Sequence, residues 1–335
     1  MNIRRIVSLG VMVLCLLLVA MLNLPVVHAA TGDQVYEVFF STPCGLGVGL
    51  AFDGTNLWYS CSGSPNLFRA NPLTGVVDAS YAIPAPGILG ALSYDATRNA
   101  LWAGAGTDQV WRIDLDAGKN VTGSMLVFNT GDFCGLDDGL AFDARNVADP
   151  NDDVWYYSDD CWTTVIDVYT IAGGPPIESF TWAGPLPGPP NHNSGLAVGG
   201  QFLYQMSVFE SKVYVVDKAT KALQFTFTVG TPHPEDMECD INTFATHVMW
   251  TKEAYVAQAR AFEIPFGSCG GGGLPADEEP PKVECIESVN PHGAKVPPAG
   301  YTTPPGVNPK SGQNPHGNYI LSEKNDTDPS KAVYV

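Results

Sequence analysis

Six oxygen-bearing side chains carry the most pointed chemistry in this chain: Asp137, Asp138, Asn193, Glu235, Asp236 and Glu238. They stand just before or inside segments that each begin a repeated unit: Gly139-Leu-Ala-Phe-Asp143, Gly195-Leu-Ala-Val-Gly199 and Asp236-Met-Glu-Cys-Asp240. If the unit starts meet at one mouth, carboxylates and an amide arriving on separate loops form the oxygen shell that a hard divalent cation takes, calcium first. Crowded carboxylates repel, so such a cluster needs a cation or raised pKa values to hold it. The plainer alternative is that Asp137 and Asp138 cap a turn while Glu235 and Asp236 face water. His192 and His233 lie just upstream of two unit starts. A metal that polarised a carbonyl and activated water, with an acid or His233 as proton carrier, would make the same cluster a lactonase or hydrolase.

Other chemistry is thinner. Asp149-Pro-Asn-Asp-Asp153 alternates its oxygen ligands as a calcium loop does, but lacks the glycine and the distal glutamate, and reads as a solvated turn. Asp159 and Asp160 reach the Asp137 mouth if a disulfide at Cys161 draws them there. The chain holds neither a Gly-x-Ser-x-Gly elbow nor an HExxH pair. Trp58, Trp102, Trp155 and Trp250 fall on apolar strand-like segments and read as core; Trp162 and Trp182 fall nearer loops, where they could stack a ligand.

The elements that must position these groups follow from the repeat. Its starts are Gly49-Leu-Ala-Phe-Asp53, Ala91-Leu-Ser-Tyr-Asp95, Gly139-Leu-Ala-Phe-Asp143, Gly195-Leu-Ala-Val-Gly199 and the divergent Asp236-Met-Glu-Cys-Asp240. Each leads into a second segment (Leu57-Trp-Tyr, Leu101-Trp-Ala, Val154-Trp-Tyr, Phe202-Leu-Tyr, Val248-Met-Trp), then a third, and in four units a fourth. All are short, aromatic and β-branched, with Gly, Pro, Asn and Asp between them, which reads as strands and turns. Four strands per ~40–45 residues is propeller-blade spacing. The fifth unit stops after Ile264-Pro265, and its missing strand stands at the other end of the chain, Val35-Tyr-Glu-Val-Phe-Phe-Ser-Thr42. The expected fold is therefore all-β: a five-bladed propeller over residues 33–267, closed by the N-terminal strand, with six blades as the competitor if the long third unit hides an extra element. First strands should line the channel and their entering loops form one mouth.

These starts, the Trp/Tyr second strands, and third strands followed by Asn71-Pro-Leu-Thr-Gly75 or Asp217-Lys-Ala-Thr-Lys221 resemble YVTN-type, NHL-type and gluconolactonase-like repeat propellers. That resemblance implies the fold over about residues 33–267. It also implies a divalent metal in the channel, since gluconolactonase-like propellers hold one with Glu, Asn and Asp side chains, although no ligand set transfers one to one.

Arg4 and Arg5, the apolar run Ile6 to Leu24 and the small-residue site Val27-His-Ala29 read as a secretory signal peptide over residues 1–30. Export to the cell surface, periplasm or medium permits disulfides. Cys44 and Cys134 hold one position in their units, and Cys61 and Cys161 another, so Cys44–Cys61 and Cys134–Cys161 are the expected pairs. Among Cys239, Cys269 and Cys285, either Cys269–Cys285 or Cys239–Cys269 fits. Lys and Arg number 17 against 35 Asp and Glu, a net charge of −18. That argues against nucleic acid and anionic lipid as partners and suits cations. Residues 268–282 read as a Gly/Pro/acidic linker. Residues 283–335, in which Asn290-Pro-His-Gly293 recurs at Asn314-Pro-His-Gly317, read as an extended, partly disordered tail. Two functions remain: a binding or surface-interaction module for a protein, glycan or small molecule, with calcium at the mouth, or a metal-dependent lactonase or hydrolase there.

Overall fold

A computed structural model describes residues 30–43, 47–61, 64–84, 89–106, 108–131, 139–145, 149–158, 165–181, 193–208, 210–230, 233–265 and 267–269, plus three short strands of the tail. Residues 1–29, Asp137, Asp138, Asp159, Asp160, His192, Trp162, Trp182, Cys44, Cys134 and Cys161 lie outside these residues. Five four-stranded antiparallel sheets form the blades. The first strands are Leu50–Phe52, Leu89–Asp95, Gly139–Asp143, Asn193–Gly199 and Pro234–Asp240. Each packs beside the first strand of the next blade, and the fifth packs beside the first, so the ring is closed. The last blade takes its outermost strand from the N-terminus: Gln34–Phe39 pairs antiparallel with Gln258–Glu263. The chain is thus the five-bladed, N-terminally closed propeller that its repeat implies, all-β among the described residues.

Five buried apolar clusters hold the ring together, one at each blade-to-blade interface. A strand sends alternate side chains to opposite faces. In blade 1, Ala51 and Trp58 therefore pack on blade 2, while Leu50, Leu57 and Tyr59 pack on blade 5. The aspartate that ends the first strand anchors this arrangement. Asp53 accepts the Trp58 indole N–H at 2.7 Å, Asp95 that of Trp102 at 3.2 Å and Asp240 that of Trp250 at 2.8 Å. The same carboxylates accept hairpin N–H groups, from Thr55 and Asn56, from Arg98, and from Asn242 and Thr243. The recurring Asp and Trp are one structural clasp.

Blade 3 breaks the pattern. Trp58, Trp102 and Trp250 lie opposite Ala51, Ser93 and Glu238, each two residues before its aspartate. After the long hairpin that follows Asp143, that register position belongs to Tyr156, opposite Ala141, and Trp155 lies opposite Phe142. A one-residue slip sends a side chain to the other face. Trp155 accordingly packs back on blade 2, stacked on Phe128 at 4.7 Å, and its indole N–H finds no acceptor among the described residues. Replacing each tryptophan by phenylalanine should separate the two situations. Trp58→Phe, Trp102→Phe and Trp250→Phe each remove a buried hydrogen bond and leave an aspartate oxygen short of a donor, at a cost of about 1–3 kcal/mol. Trp155→Phe removes a donor with no acceptor among the described residues and should cost less than any of them in denaturant unfolding.

The Asp149–Asp153 turn is not simply solvated as the sequence suggested. Asp153 is 1 % exposed. Its Oδ2 takes the Arg98 guanidinium at 2.7 Å, and the same guanidinium binds Asp95 and the Pro150 carbonyl. The cluster is acidic because it seats an arginine from blade 2. Burial raises the Asp153 pKa, against the pull of Arg98.

Of the two remaining cysteine pairings, the fold adopts Cys239–Cys269. Ser268 and Cys269, at the start of the segment the sequence reads as a linker, are buried. Cys61 is also disulfide-bonded. Chain contacts divide the molecule into Met1–Gly273 and Leu274–Val335. In the second unit Val283–Cys285, Ile320–Glu323 and Val333–Tyr334 form a three-stranded antiparallel sheet with Ile320–Glu323 in the middle.

Candidate functional site

First strands run along the channel, so position along a strand decides which end of the channel a side chain serves. With a rise of ~3.3 Å per residue, Glu235 and Glu238 are about 10 Å apart along theirs. The acidic set of blade 5 is therefore not one cluster at one mouth. It divides among the entry end, the middle and the far end.

At the entry end, Glu235 is half-buried, and its Oε2 accepts the Ser194 hydroxyl at 3.0 Å. Asn193 pairs in register with Ser207. Glycines crowd this end because neighbouring blades nearly touch: a Cβ on Gly49 would stand 2.2 Å from the Gly90 carbonyl oxygen, and one on Gly195 2.5 Å from the Asp236 Cα. His233 sets its ring edge-on to Tyr255 at 4.9 Å. Lys252 is the residue the motif reading passed over. It is 0 % exposed, on the second strand of blade 5, and donates to the Glu253 and Val256 carbonyls at 2.5 and 3.0 Å. Burial brings its ammonium down to about 8, against the opposing charges of Glu253 and Glu235. Its signal in the sequence was a Lys-Glu pair placed directly after Met249-Trp250-Thr251, on a strand class otherwise free of charge.

In the middle, Asp236 crosses the channel. It is 0 % exposed. Oδ2 accepts the backbone N–H of Leu50 at 2.7 Å and of Leu92 at 2.9 Å, and Oδ1 accepts that of Met237 at 2.9 Å. Leu50 belongs to blade 1 and Leu92 to blade 2, so one carboxyl ties three blades together. Burial pushes its pKa well above the usual carboxylate range, the three N–H donors pull it down, and Glu238 raises it further.

At the far end a cavity of about 270 Å³ opens among the C-terminal ends of the first strands. Its wall includes Phe52, Tyr94, Phe142, Glu238 and the Cys239–Cys269 disulfide. Glu238 is 9 % exposed and accepts the N–H groups of Tyr94 at 3.3 Å and Cys239 at 3.1 Å. Burial pushes its carboxyl up to about 8, against those donors and the Ser93 hydroxyl.

Among the described residues, no group of three or more His, Cys, Asp or Glu is placed to hold a metal ion. The described carboxylates at the entry end are Glu235 and Glu253; Asp137 and Asp138 lie outside the described residues.

No protein-family model matches the chain, and no curated protein sequence does. Solved structures do. A glutaminyl cyclase from Myxococcus xanthus superposes with a TM-score of 0.51 at 13% identity, over 70% of this chain and 95% of that one. Regucalcin, a calcium-binding protein from Agrobacterium tumefaciens, gives 0.46 at 12% identity over 72% and 98%. A PQQ-bound aldose sugar dehydrogenase from Streptomyces coelicolor gives 0.43 at 11% identity over 69% and 97%. At such identities the likeness is one of fold. At that level the resemblance to repeat propellers stands.

Proposed function

We propose that this chain is an exported binding module, whose propeller presents its entry mouth to a protein, glycan or small-molecule ligand. A divalent cation, calcium first, is held among Asp137, Asp138, Asn193 and Glu235. One observation carries the reading: the channel is crossed by Asp236, with both carboxyl oxygens committed to backbone N–H groups of three blades. A channel closed at that depth favours recognition at a surface over seating a substrate within. The acidic chain disfavours nucleic acid as the ligand.

A second reading, a metal-assisted lactonase or hydrolase at the same mouth, is favoured by Lys252. A fully buried amine brought to about 8, beside Glu235 and Glu253, is a proton carrier suited to neutral pH.

Elemental analysis of the mature exported protein and of an Asp138→Asn/Glu235→Gln variant tests the proposal. Near-stoichiometric calcium in the first and its loss in the second is the expected result. No metal in either would remove the cation from the proposal. Turnover of lactones or esters that the variant and Lys252→Met both abolish would replace the binding reading with the hydrolase.

A further inference from the structure

The far-end cavity has no part in that reading, and its lining is chemically one-sided. Rings from three blades border it: Phe52 from blade 1, Tyr94 from blade 2 and Phe142 from blade 3. Two carboxyls, Glu238 and Asp53, join them, and among the described residues no Lys, Arg or His does. The two carboxyls differ. Asp53 already serves the Trp58 indole and the hairpin N–H groups of Thr55 and Asn56. Glu238 receives backbone N–H donors on both oxygens, which favour its ionised form against the burial that raises its pKa, so a bound cation would complete what those donors begin. Yet no cation among the described residues pairs with it. The nearest ring-bound cations are engaged elsewhere: Arg98, over Phe142, holds Asp95 and Asp153, and Lys119, over Tyr94, donates to the Tyr94 hydroxyl and Asn99.

We propose that this cavity is a binding site for a small organic ammonium ion, with Glu238 as its counter-charge and the Phe52, Tyr94 and Phe142 rings around its apolar substituents. An aromatic wall favours a diffuse, weakly hydrated cation, and within ~6 Å of a ring centroid the quadrupole adds attraction that a neutral ligand does not receive. A bare divalent cation is the poorer fit, because it requires six or more oxygens and this wall is mostly carbon. A cavity of about 270 Å³ limits the guest to a small molecule.

Choline and its uncharged carbon isostere are the probes, titrated calorimetrically into the full-length mature protein. Choline should bind saturably, and the isostere at least ~10-fold more weakly, the difference expected of a charge-assisted contact. Glu238→Gln should weaken choline by at least ~10-fold and leave the isostere unchanged. Phe142→Leu keeps the carboxylate, removes one ring, and should weaken choline several-fold while leaving unfolding cooperative. Equal binding of choline and isostere would overturn the proposal, since the cavity would then read only apolar bulk. Failure of choline to bind the well-folded protein would overturn it outright, as would displacement of choline by millimolar calcium.

Discussion

Asp236→Ala is expected to destabilise the propeller by about 3–5 kcal/mol at neutral pH. The mutation leaves the Leu50 and Leu92 N–H groups in a sealed interior without an acceptor, and each such orphan costs about 1–3 kcal/mol. It also unties blades 1, 2 and 5 at their common point. Asp236→Asn keeps the shape and an acceptor oxygen, and its effect should depend on pH. The folded-state pKa of Asp236 is raised above its ordinary 3.8, so its stabilisation is complete below that value and is lost as pH rises. The Asn variant should therefore gain on the natural protein as pH increases from about 4 towards neutrality. Urea unfolding at several pH values measures both effects. An Ala variant with unchanged stability but lost metal uptake would show that Asp236 is a ligand and not a tie.

The second large effect should follow loss of the Cys239–Cys269 bond in a Cys239→Ala/Cys269→Ala variant. The bond closes a loop of sequence separation 30, for which chain entropy predicts a loss of about 3–4 kcal/mol. At roughly 2–4 °C per kcal/mol for a domain of this size, thermal unfolding registers it readily. The paired substitution is preferable to a reductant, because Cys61 is disulfide-bonded as well. A loss under about 1 kcal/mol would mean that packing of Cys269 under Val248, not the covalent link, holds the segment.

What the sequence made legible, and what it hid, divides along physical lines. Blade number and closure were readable because Gly-Leu-Ala-Phe-Asp starts and aromatic second strands recur, and because the strand missing after Ile264 reappears before Cys44. The glycines have their reason in the close approach of neighbouring blades. The slip of Trp155 was hidden, since in the string Val154-Trp-Tyr looks identical in kind to Leu57-Trp-Tyr. Only the length of the preceding hairpin shifts its register. The acidic set of blade 5 looked like one cluster because Glu235, Asp236 and Glu238 are close in sequence. Along a strand that closeness becomes separation, and only pairing across the channel, to Leu50, Leu92 and Tyr94, shows where each carboxyl works. Asp153 deceived in the opposite sense: its partner Arg98 sits in a different unit, which no local motif records.

Closure by the N-terminal strand also bears on how the molecule comes into being. Gln34–Phe39 is the first of the propeller strands to be made, and its partner Gln258–Glu263 is the last. Until then the growing chain holds up to four finished blades flanked by two raw edges, each a template for pairing with another copy. The final pairing joins ends separated by nearly the whole domain, which makes it the slowest contact to form by topology alone. A circular permutant opened between blades 4 and 5, near Gly230, would replace that late event with a local one, at the expense of the covalent link between those two blades.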